Sequence, residues 1–185
     1  FPYTTLFRSN PGAAYLWSTG DTIQIITAAV TDTYWVAVTV PGCTPVYDTV
    51  NVTVNSSPIV DLGADTTLCG TLTLDAGNPG DNYLWSTSDT TQTIVASTSD
   101  TFWVDVTNAS GCTTRDSIIA AINPYPVVDL GTDTTLCGGT LTLDAGNPGA
   151  AYIWSTGATI QTIIASSSDT FWVDVTNAFG CTTRD

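Results

Sequence analysis

Hydrophobic and polar residues alternate with a period of two along much of this chain. The stretches GTLTLDAG (70–77) and YDTVNVTVN (47–55) both place an apolar residue at every second position. A period of two puts successive side chains on opposite faces of a strand. The 3.6-residue periodicity of an amphipathic helix appears in no segment. The pattern therefore predicts short, half-buried β-strands and no helix.

Turn-forming residues separate these strands at short intervals. Between residues 58 and 125 the strand-like runs are IVDLG, GTLTLDAG, YLWS, TQTIVAS, TFWVDVTN and DSIIAAIN, and the NPGDN segment reads as a turn. Many short strands bounded by such turns are typical of an all-β sandwich. We therefore predict an all-β fold, an elongated array of tandem Ig-like β-sandwich repeats of about 68 residues each.

The sequence repeats itself within the chain. Trp17, Trp85 and Trp154 lie 68 and 69 residues apart, and TLTLDAGNPG, VDVTNA and GCTTRD each occur twice. Self-similarity of this kind indicates a repeat architecture. The predicted division is a non-native segment at 1–9, an N-terminally truncated Ig-like repeat 1 at 10–57, a complete repeat 2 at 58–125, and a repeat 3 at 126–185 that lacks its last strand.

The first nine residues match no other part of the repeat. FPYTTLFRS stands where the other two copies carry TLTLDAG, and a common sequencing adapter read in frame can encode it. We interpret it as an adapter-derived segment on a fragment of a longer array, with a diverged native strand as the alternative. On this interpretation repeat 1 lacks its leading strands and repeat 3 its last one, and both have open edges.

The charge balance excludes several classes of partner. Lys and Arg number 3 against 17 acidic residues, which gives a net charge of −14, and the chain has no His. Nucleic acids and anionic lipids need clustered cations, so neither is expected as a partner. The chain contains no run of 18 apolar residues, so we do not expect it to insert into a membrane.

The cysteines predict disulfides and an oxidising compartment. Equivalent positions in the repeats suggest that Cys69 pairs with Cys112 and Cys137 with Cys181, which leaves Cys43 alone. Disulfides persist outside the cell or in a periplasm, so we expect an extracellular protein, secreted or on a cell surface. Five buried free thiols are the alternative; a zinc site is disfavoured because the chain has no His and no closely spaced Cys pair.

Catalysis and cofactors are not expected. Without His, Glu or Lys, the usual general bases reduce to Asp, and the repeated Asp75, Asp144, Asp105 and Asp174 fall in turns or on outward strand faces. We predict no enzyme activity, no catalytic or cofactor-binding residue, and no cofactor. The one open metal hypothesis is Ca²⁺ on acidic loops beside the inter-repeat prolines, where solvated turns are the alternative. Its candidate ligands are Asp61, Asp65, Asp129 and Asp133.

Strand parity predicts an outward aromatic face. In TFWVDVT (101–107), Phe102 and Val104 share the inward face, so Trp103 points outward. The repeat gives the same orientation to Trp35 and Trp172. Such a face needs a cover. Sugar, a neighbouring chain, the adjacent repeat and a nearby Thr or Ile side chain are the alternatives.

A family resemblance follows from the motifs taken together. VDLGADTTLC, TLTLDAGNPG, YLWSTG, TFWVDVTNASGC and TTRDSI resemble the Ig-like and PKD-like repeats of large secreted surface proteins of gliding bacteria. The resemblance implies a multi-repeat adhesin or stalk exported by the type IX system. It also implies that Asp followed by Thr or Ser marks O-glycosylation, for which the candidates are Thr22, Thr49, Thr66, Thr90, Ser117 and Thr134.

The function we predict is a structural and adhesive repeat region, a stalk or fibril-forming segment of a bacterial surface protein. Its expected partners are neighbouring repeats or identical chains in a filament, and glycans. The alternative is a carbohydrate-binding accessory region of a secreted enzyme, which would use the outward Trp face.

Overall fold

The structure is a computed structural model that describes residues 4–7 and 10–185. These residues form strands and no helix, so the described part of the chain contains no helix that could cross a membrane. The strands are β1 Thr4–Phe7, β2 Ala14–Trp17, β3 Ile25–Ala28, β4 Asp32–Thr39, β5 Val46–Val52, β6 Thr66–Cys69, β7 Leu72–Asp75, β8 Asn82–Trp85, β9 Thr93–Ala96, β10 Asp100–Thr107, β11 Thr113–Asn123, β12 Leu141–Asp144, β13 Ala151–Trp154, β14 Thr162–Ala165, β15 Val173–Thr176 and β16 Thr182–Arg184.

Repeat 2 contains two sheets whose connectivity is that of an immunoglobulin-like sandwich. One sheet has the order β6-β11-β10-β8 and the other pairs β7 with β9. Neighbours are antiparallel, except that β6 runs parallel to β11. In immunoglobulin terms β7 and β9 are strands B and E, while β8, β10 and β11 are strands C, F and G. The predicted all-β, Ig-like sandwich is therefore confirmed.

Repeats 1 and 3 contain the same central pairs with fewer strands. In repeat 1, β1 pairs with β3, and β2-β4-β5 form the second sheet. In repeat 3, β12 pairs with β14, and β13-β15-β16 form the second sheet. A counterpart of β6 is present only in repeat 2 among the described strands. This strand takes its hydrogen bonds from the second half of β11.

Each repeat has its own hydrophobic core around a tryptophan. Trp85 lies on β8, is 1% exposed, and packs among the inward residues of β10 and β11. Its indole Nε1 donates a hydrogen bond to the Thr91 carbonyl at 2.8 Å, so the buried ring leaves no polar atom unpaired. Trp17 and Trp154 make the equivalent bonds to Ile23 and Ile160.

A strand stands at the position where we expected repeat 1 to have none. Thr4 of β1 pairs with Ala28, in the register in which Leu72 of β7 pairs with Ala96. Leu6 is half-buried against the repeat 1 core. The expectation that repeat 1 lacks all its leading strands is therefore wrong at this position. The rest of segment 1–9 lies outside the described residues, and its non-native origin stays a prediction.

Candidate functional site

The disulfide in this structure joins two repeats. Cys69 is bonded to Cys181, with an S–S distance of 1.96 Å and 5.7 Å between the Cα atoms, whereas Cys43, Cys112 and Cys137 are free thiols. Both predicted pairings, Cys69 with Cys112 and Cys137 with Cys181, are therefore wrong.

The length of β11 explains why the pairing within repeat 2 fails. Cys112 immediately precedes β11, and Cys69 faces Asn123 at the other end of that strand. The strand has eleven residues, and the ten steps between its first and last residue span roughly 33 Å at about 3.3 Å per step. A disulfide needs Cα atoms within about 7 Å. Cys69 therefore lies at the exit of repeat 2, where the next repeat begins.

Several contacts surround this inter-repeat disulfide. The Cys181 sulfur lies 4.0 Å from the carbonyl oxygen of Asn123, and the amide of Gly70 donates to that same carbonyl at 2.9 Å. Gly70 has a φ of +90°, and a Cβ atom built on it would lie 2.8 Å from the ring of Tyr125. Glycine at position 70 thus allows both the backbone conformation and the close approach of the ring.

Asparagine side chains hold the linker between repeats 2 and 3. Asn177 donates from Nδ2 to the Pro124 carbonyl at 2.8 Å, and its Oδ1 accepts from the amides of Phe179 and Cys181. Asn147 donates to the Val127 carbonyl at 2.7 Å. The turns of repeat 3 thereby bind the linker backbone on both sides of Tyr125.

The junction between repeats 1 and 2 carries the same contacts without the disulfide. Asn108 Nδ2 donates to the Ser56 carbonyl at 2.7 Å, and Asn78 donates to the Ile59 carbonyl at 2.7 Å. The sulfur of Cys112 lies 3.9 Å from the Asn55 carbonyl oxygen, matching the position of Cys181 beside Asn123. We name these two regions junction 1/2 and junction 2/3.

Three of the four acidic residues proposed as Ca²⁺ ligands bond to backbone amides instead of converging. Asp61 and Asp129 each accept from the amide two residues later, at 2.9 and 2.8 Å. Asp65 accepts from the amide of Ile119 at 2.9 Å, while Asp133 is exposed. Within the described residues no three acidic or Cys side chains form a group that could hold a metal.

The outward tryptophan of repeat 2 is covered by an arginine of its own repeat. The guanidinium carbon of Arg115 lies 3.9 Å from the centre of the Trp103 ring. Arg115 also binds Asp105 through two hydrogen bonds of 2.6 Å, and the hydrogen bond from Arg115 holds the pKa of the Asp105 carboxyl below its usual value. A sugar stacking on the same face of Trp103 would have to displace this guanidinium.

The same outer face occurs in repeat 3 and is changed in repeat 1. Arg184 lies 4.0 Å over Trp172 and is bonded to Asp174. In repeat 1 the positions of Asp105 and Arg115 are taken by Ala37 and Tyr47, and Tyr47 lies 6.0 Å from Trp35 between ring centres. The arginine cover was not among our sequence alternatives. The rarity of cations in so acidic a chain, with Arg in both GCTTRD copies, was the signal for it.

The repeated aspartates of the LDAG motif, Asp75 and Asp144, stabilise the turn that follows them by accepting hydrogen bonds from its backbone. Asp75 accepts from Gln92 Nε2 at 2.9 Å and from the amide of Gly77 at 2.8 Å. The Gln92 hydrogen bond is the main cause of a lowered pKa at Asp75, and Gln161 has the same effect on Asp144. These carboxylates are held ionised by neutral donors, and the raised pKa of a general acid is not found at either.

The candidate O-glycosylation sites are spread over turns and strands. Thr66 is half-buried on β6. The remaining candidates are exposed: Thr22, Thr49, Thr90, Ser117 and Thr134.

Comparison with known proteins gives structural similarity alone. No family model matches this chain, and no curated protein matches it. Among solved structures, the insect immune protein hemolin is 10% identical with a TM-score of 0.41, over 98% of this chain and 69% of that one. Drosophila OTK extracellular domains 3–5 are 10% identical with a TM-score of 0.34, over 99% and 89%. A 1.5-MDa bacterial ice-binding adhesin is 14% identical with a TM-score of 0.30, over 98% and 88%.

Proposed function

We propose that this chain is a structural repeat segment of an extracellular adhesive protein, whose function is to hold successive Ig-like units in a fixed order and orientation. The observation that carries the proposal is junction 2/3. There a covalent bond, two asparagine side chains and a close-packed Tyr125 act on one short linker. A freely hinged linker needs none of these constraints, whereas a stalk that transmits force is stabilised by them.

The chemistry of the joint supports an extracellular location. A disulfide between repeats persists in an oxidising compartment and is reduced in the cytosol, which supports a secreted or cell-surface protein. The motif resemblance supports a surface protein of gliding bacteria exported by the type IX system. Neighbouring repeats or identical chains are the partners we propose, and O-linked glycans on the exposed Asp-Thr and Asp-Ser sites form its coat. The array carries no catalytic activity and no cofactor.

Force spectroscopy on the full chain tests the structural role. Pulled from its ends, the oxidised protein cannot extend the loop closed by Cys69 and Cys181, which are 112 residues apart. Reduction should therefore release about 370–400 Å of additional contour length, at about 3.3–3.6 Å per residue. Small-angle scattering should show a wider range of end-to-end distances after reduction. An oxidised chain as flexible as the reduced one would contradict a stalk.

The accessory-region alternative has a separate test. Glycan-array binding that disappears in Trp103→Ala and Trp172→Ala would favour a carbohydrate-binding role over a stalk. We expect no such binding, because each ring is already covered by the guanidinium of its own repeat.

A further inference from the structure

The outer face of the β2-β4-β5 sheet in repeat 1 lacks the ion pair that repeats 2 and 3 carry there. The two arginines that the structure describes, Arg115 and Arg184, lie over the outward tryptophans of repeats 2 and 3. In repeat 1 the register of β4 and β5 places Ala37 and Tyr47 where the aspartate and the arginine stand. The neighbour of the outward Trp35 is therefore a second aromatic ring instead of a guanidinium.

The two rings together form an exposed aromatic surface. The ring centres of Trp35 and Tyr47 lie 6.0 Å apart and their planes are tilted by 52°. Tyr47 is 65% exposed, and Trp35 is half-buried. On the other side of the buried Ala37 lies Leu16, which is 46% exposed. An apolar row with an aromatic end thus crosses all three strands.

Polar side chains border this row along β5. Thr49 is exposed and lies opposite Trp35. In the next pair outward, the Thr33 hydroxyl donates to Asn51 Oδ1 at 2.7 Å. This bond fixes the exposed Asn51 amide and leaves its Nδ2 group to donate to a ligand. Neutral donors and acceptors therefore lie beside the aromatic rings.

The face carries no charge. Every outward position of β2, β4 and β5 is occupied by Ala, Leu, Thr, Trp, Tyr or Asn. An anionic ligand would find no cation among these positions, and the net charge of −14 on the chain repels it. A second copy of the chain would bring the same negative charge. These charges favour a neutral occupant.

The face is also too small for a stable protein partner. Its longest strand, β4, has eight residues, and strands about 4.8 Å apart make the face about 10 Å wide and 27 Å long, or roughly 300 Å². A stable protein–protein interface buries about 800 Å² on each partner. A short segment of a glycan chain fits the smaller area.

We propose that the outer face of repeat 1, formed by Leu16, Trp35, Tyr47, Thr49 and Asn51, binds a neutral oligosaccharide. The weakly positive C–H groups of a pyranose ring pack on the negative faces of the two aromatic rings. Sugar hydroxyls bond to Thr49, Asn51 and the Tyr47 hydroxyl. The site gives a ligand class to the adhesive protein proposed above, while repeats 2 and 3 have their tryptophans covered.

An NMR titration of the oxidised full chain tests the site. The probes are cellotetraose and mannotetraose, which are neutral, and tetragalacturonate, which is the anionic control. The neutral sugars should shift the indole Nε1–H signal of Trp35 and the amide signal of Thr49. The indole signals of Trp103 and Trp172 should stay in place. Tetragalacturonate should bind about tenfold more weakly, because the chain repels its charge.

Two reciprocal double variants exchange the faces of repeats 1 and 2. Ala37→Asp with Tyr47→Arg installs the ion pair in repeat 1 and should weaken sugar binding about tenfold, since the guanidinium must be displaced from the ring. Asp105→Ala with Arg115→Tyr removes the pair from repeat 2 and should make the Trp103 indole signal respond to the sugars. Both folds already accept these residues in another repeat, and the indole signal of buried Trp17 reports the fold of repeat 1.

A Trp35 signal that neither neutral tetrasaccharide shifts would overturn the proposal, as would equal affinity in the wild type and the Ala37→Asp, Tyr47→Arg variant. Neither result involves the Cys69–Cys181 disulfide. The gain of contour length on reduction, which tests the stalk, therefore stands or fails separately.

Discussion

Junction 1/2 and junction 2/3 make the same backbone contacts, yet a covalent bond closes only one of them. Asn108 and Asn177 bind their linkers in the same way, and Cys112 and Cys181 lie at matching positions beside a linker carbonyl. The difference lies in the preceding repeat. Repeat 2 has β6, which brings Cys69 beside the exit of the last strand. The described part of repeat 1 has no strand in that place.

The two junctions show that local sequence motifs and long-range strand pairing contribute different contacts. The hydrogen-bonded part of each junction comes from short motifs, NASGC and NAFGC, that fold locally into the same turn. The covalent part depends on a strand whose partner is about 50 residues further along the chain. The disulfide at a joint therefore depends on the strand that carries its first cysteine.

The largest expected effect is the loss of the inter-repeat disulfide. Cys69→Ser should lower the free energy of unfolding by about 4 kcal/mol, since the bond closes a long loop in the unfolded chain. Cys137→Ser is the matched control, because it is the same position in repeat 3 with a free, exposed thiol, and it should change stability by less than about 0.5 kcal/mol. Denaturant unfolding under oxidising conditions measures both. Equal losses would remove the distinction between the junctions.

The second effect comes from crowding at Tyr125. Gly70→Ala and Gly138→Ala both place a side chain at positive φ, +90° and +84°, which costs about 1–2 kcal/mol. Only the Cβ at position 70 meets the Tyr125 ring, at 2.8 Å, and position 138 has open space. Gly70→Ala should therefore lose about 1–3 kcal/mol more than Gly138→Ala.

A double-mutant cycle with Tyr125→Ala checks the cause of that excess. Removing the ring should bring the loss caused by Gly70→Ala down to the level of Gly138→Ala. If Gly70→Ala still lost more stability than Gly138→Ala without the ring, the cause would lie in the backbone at position 70.

The third effect tests the asparagine contacts alone. Asn108→Asp and Asn177→Asp keep the acceptor oxygen of the turn and remove the Nδ2 donor to the linker, so each should lower stability by about 1 kcal/mol. Residual dipolar couplings should show greater freedom between repeats 1 and 2 in Asn108→Asp. In oxidised Asn177→Asp the disulfide should hold repeats 2 and 3 in place. Equal freedom at both junctions would show that the disulfide does not fix orientation.

The smallest effect is expected at the Arg115–Asp105 pair beside Trp103. Because this pair makes no contact with a linker, its substitution serves as the control for the junction variants. Arg115→Met removes the hydrogen bonds that lower the pKa of Asp105, so that pKa should rise toward its usual value in an NMR titration. A lowered folded-state pKa gives stability that is present above the unfolded-state pKa and is lost as pH falls through the folded-state value. The variant should therefore lose part of its acid sensitivity, with inter-repeat orientation unchanged. A titration of Asp105 unaffected by the substitution would mean that Arg115 does not set it.

The sequence was sufficient for most of the strands of repeat 2 and their inward residues, but it predicted a strand at IVDLG (59–63), where the structure has none, and it missed β6. Leu72 and Leu74 alternate with Thr73 and Asp75 on β7, and Leu74 is 3% exposed as its parity requires. Such patterns are local, because one buried face of a strand imposes its period on neighbouring residues. The arginine over Trp103 was missed because its position is not set by a local pattern. Cross-strand register, which sets Arg115 opposite Asp105, is a pairing between strands and not a pattern within one.

The sequence by itself determined the repeat, the fold class and the short turns that hold each linker. The repeat is found by comparing segments of the chain, and the strand periodicity and the turns depend on residues close together in it. Only the tertiary structure decided which cysteines meet. Cysteines at equivalent positions of a repeat can form a disulfide within one repeat or between two neighbouring repeats. Which of the two forms depends on where the ends of the strands lie in space. The parallel addition of β6 to β11 puts Cys69 at the exit of its repeat, far from Cys112 and within bonding distance of Cys181.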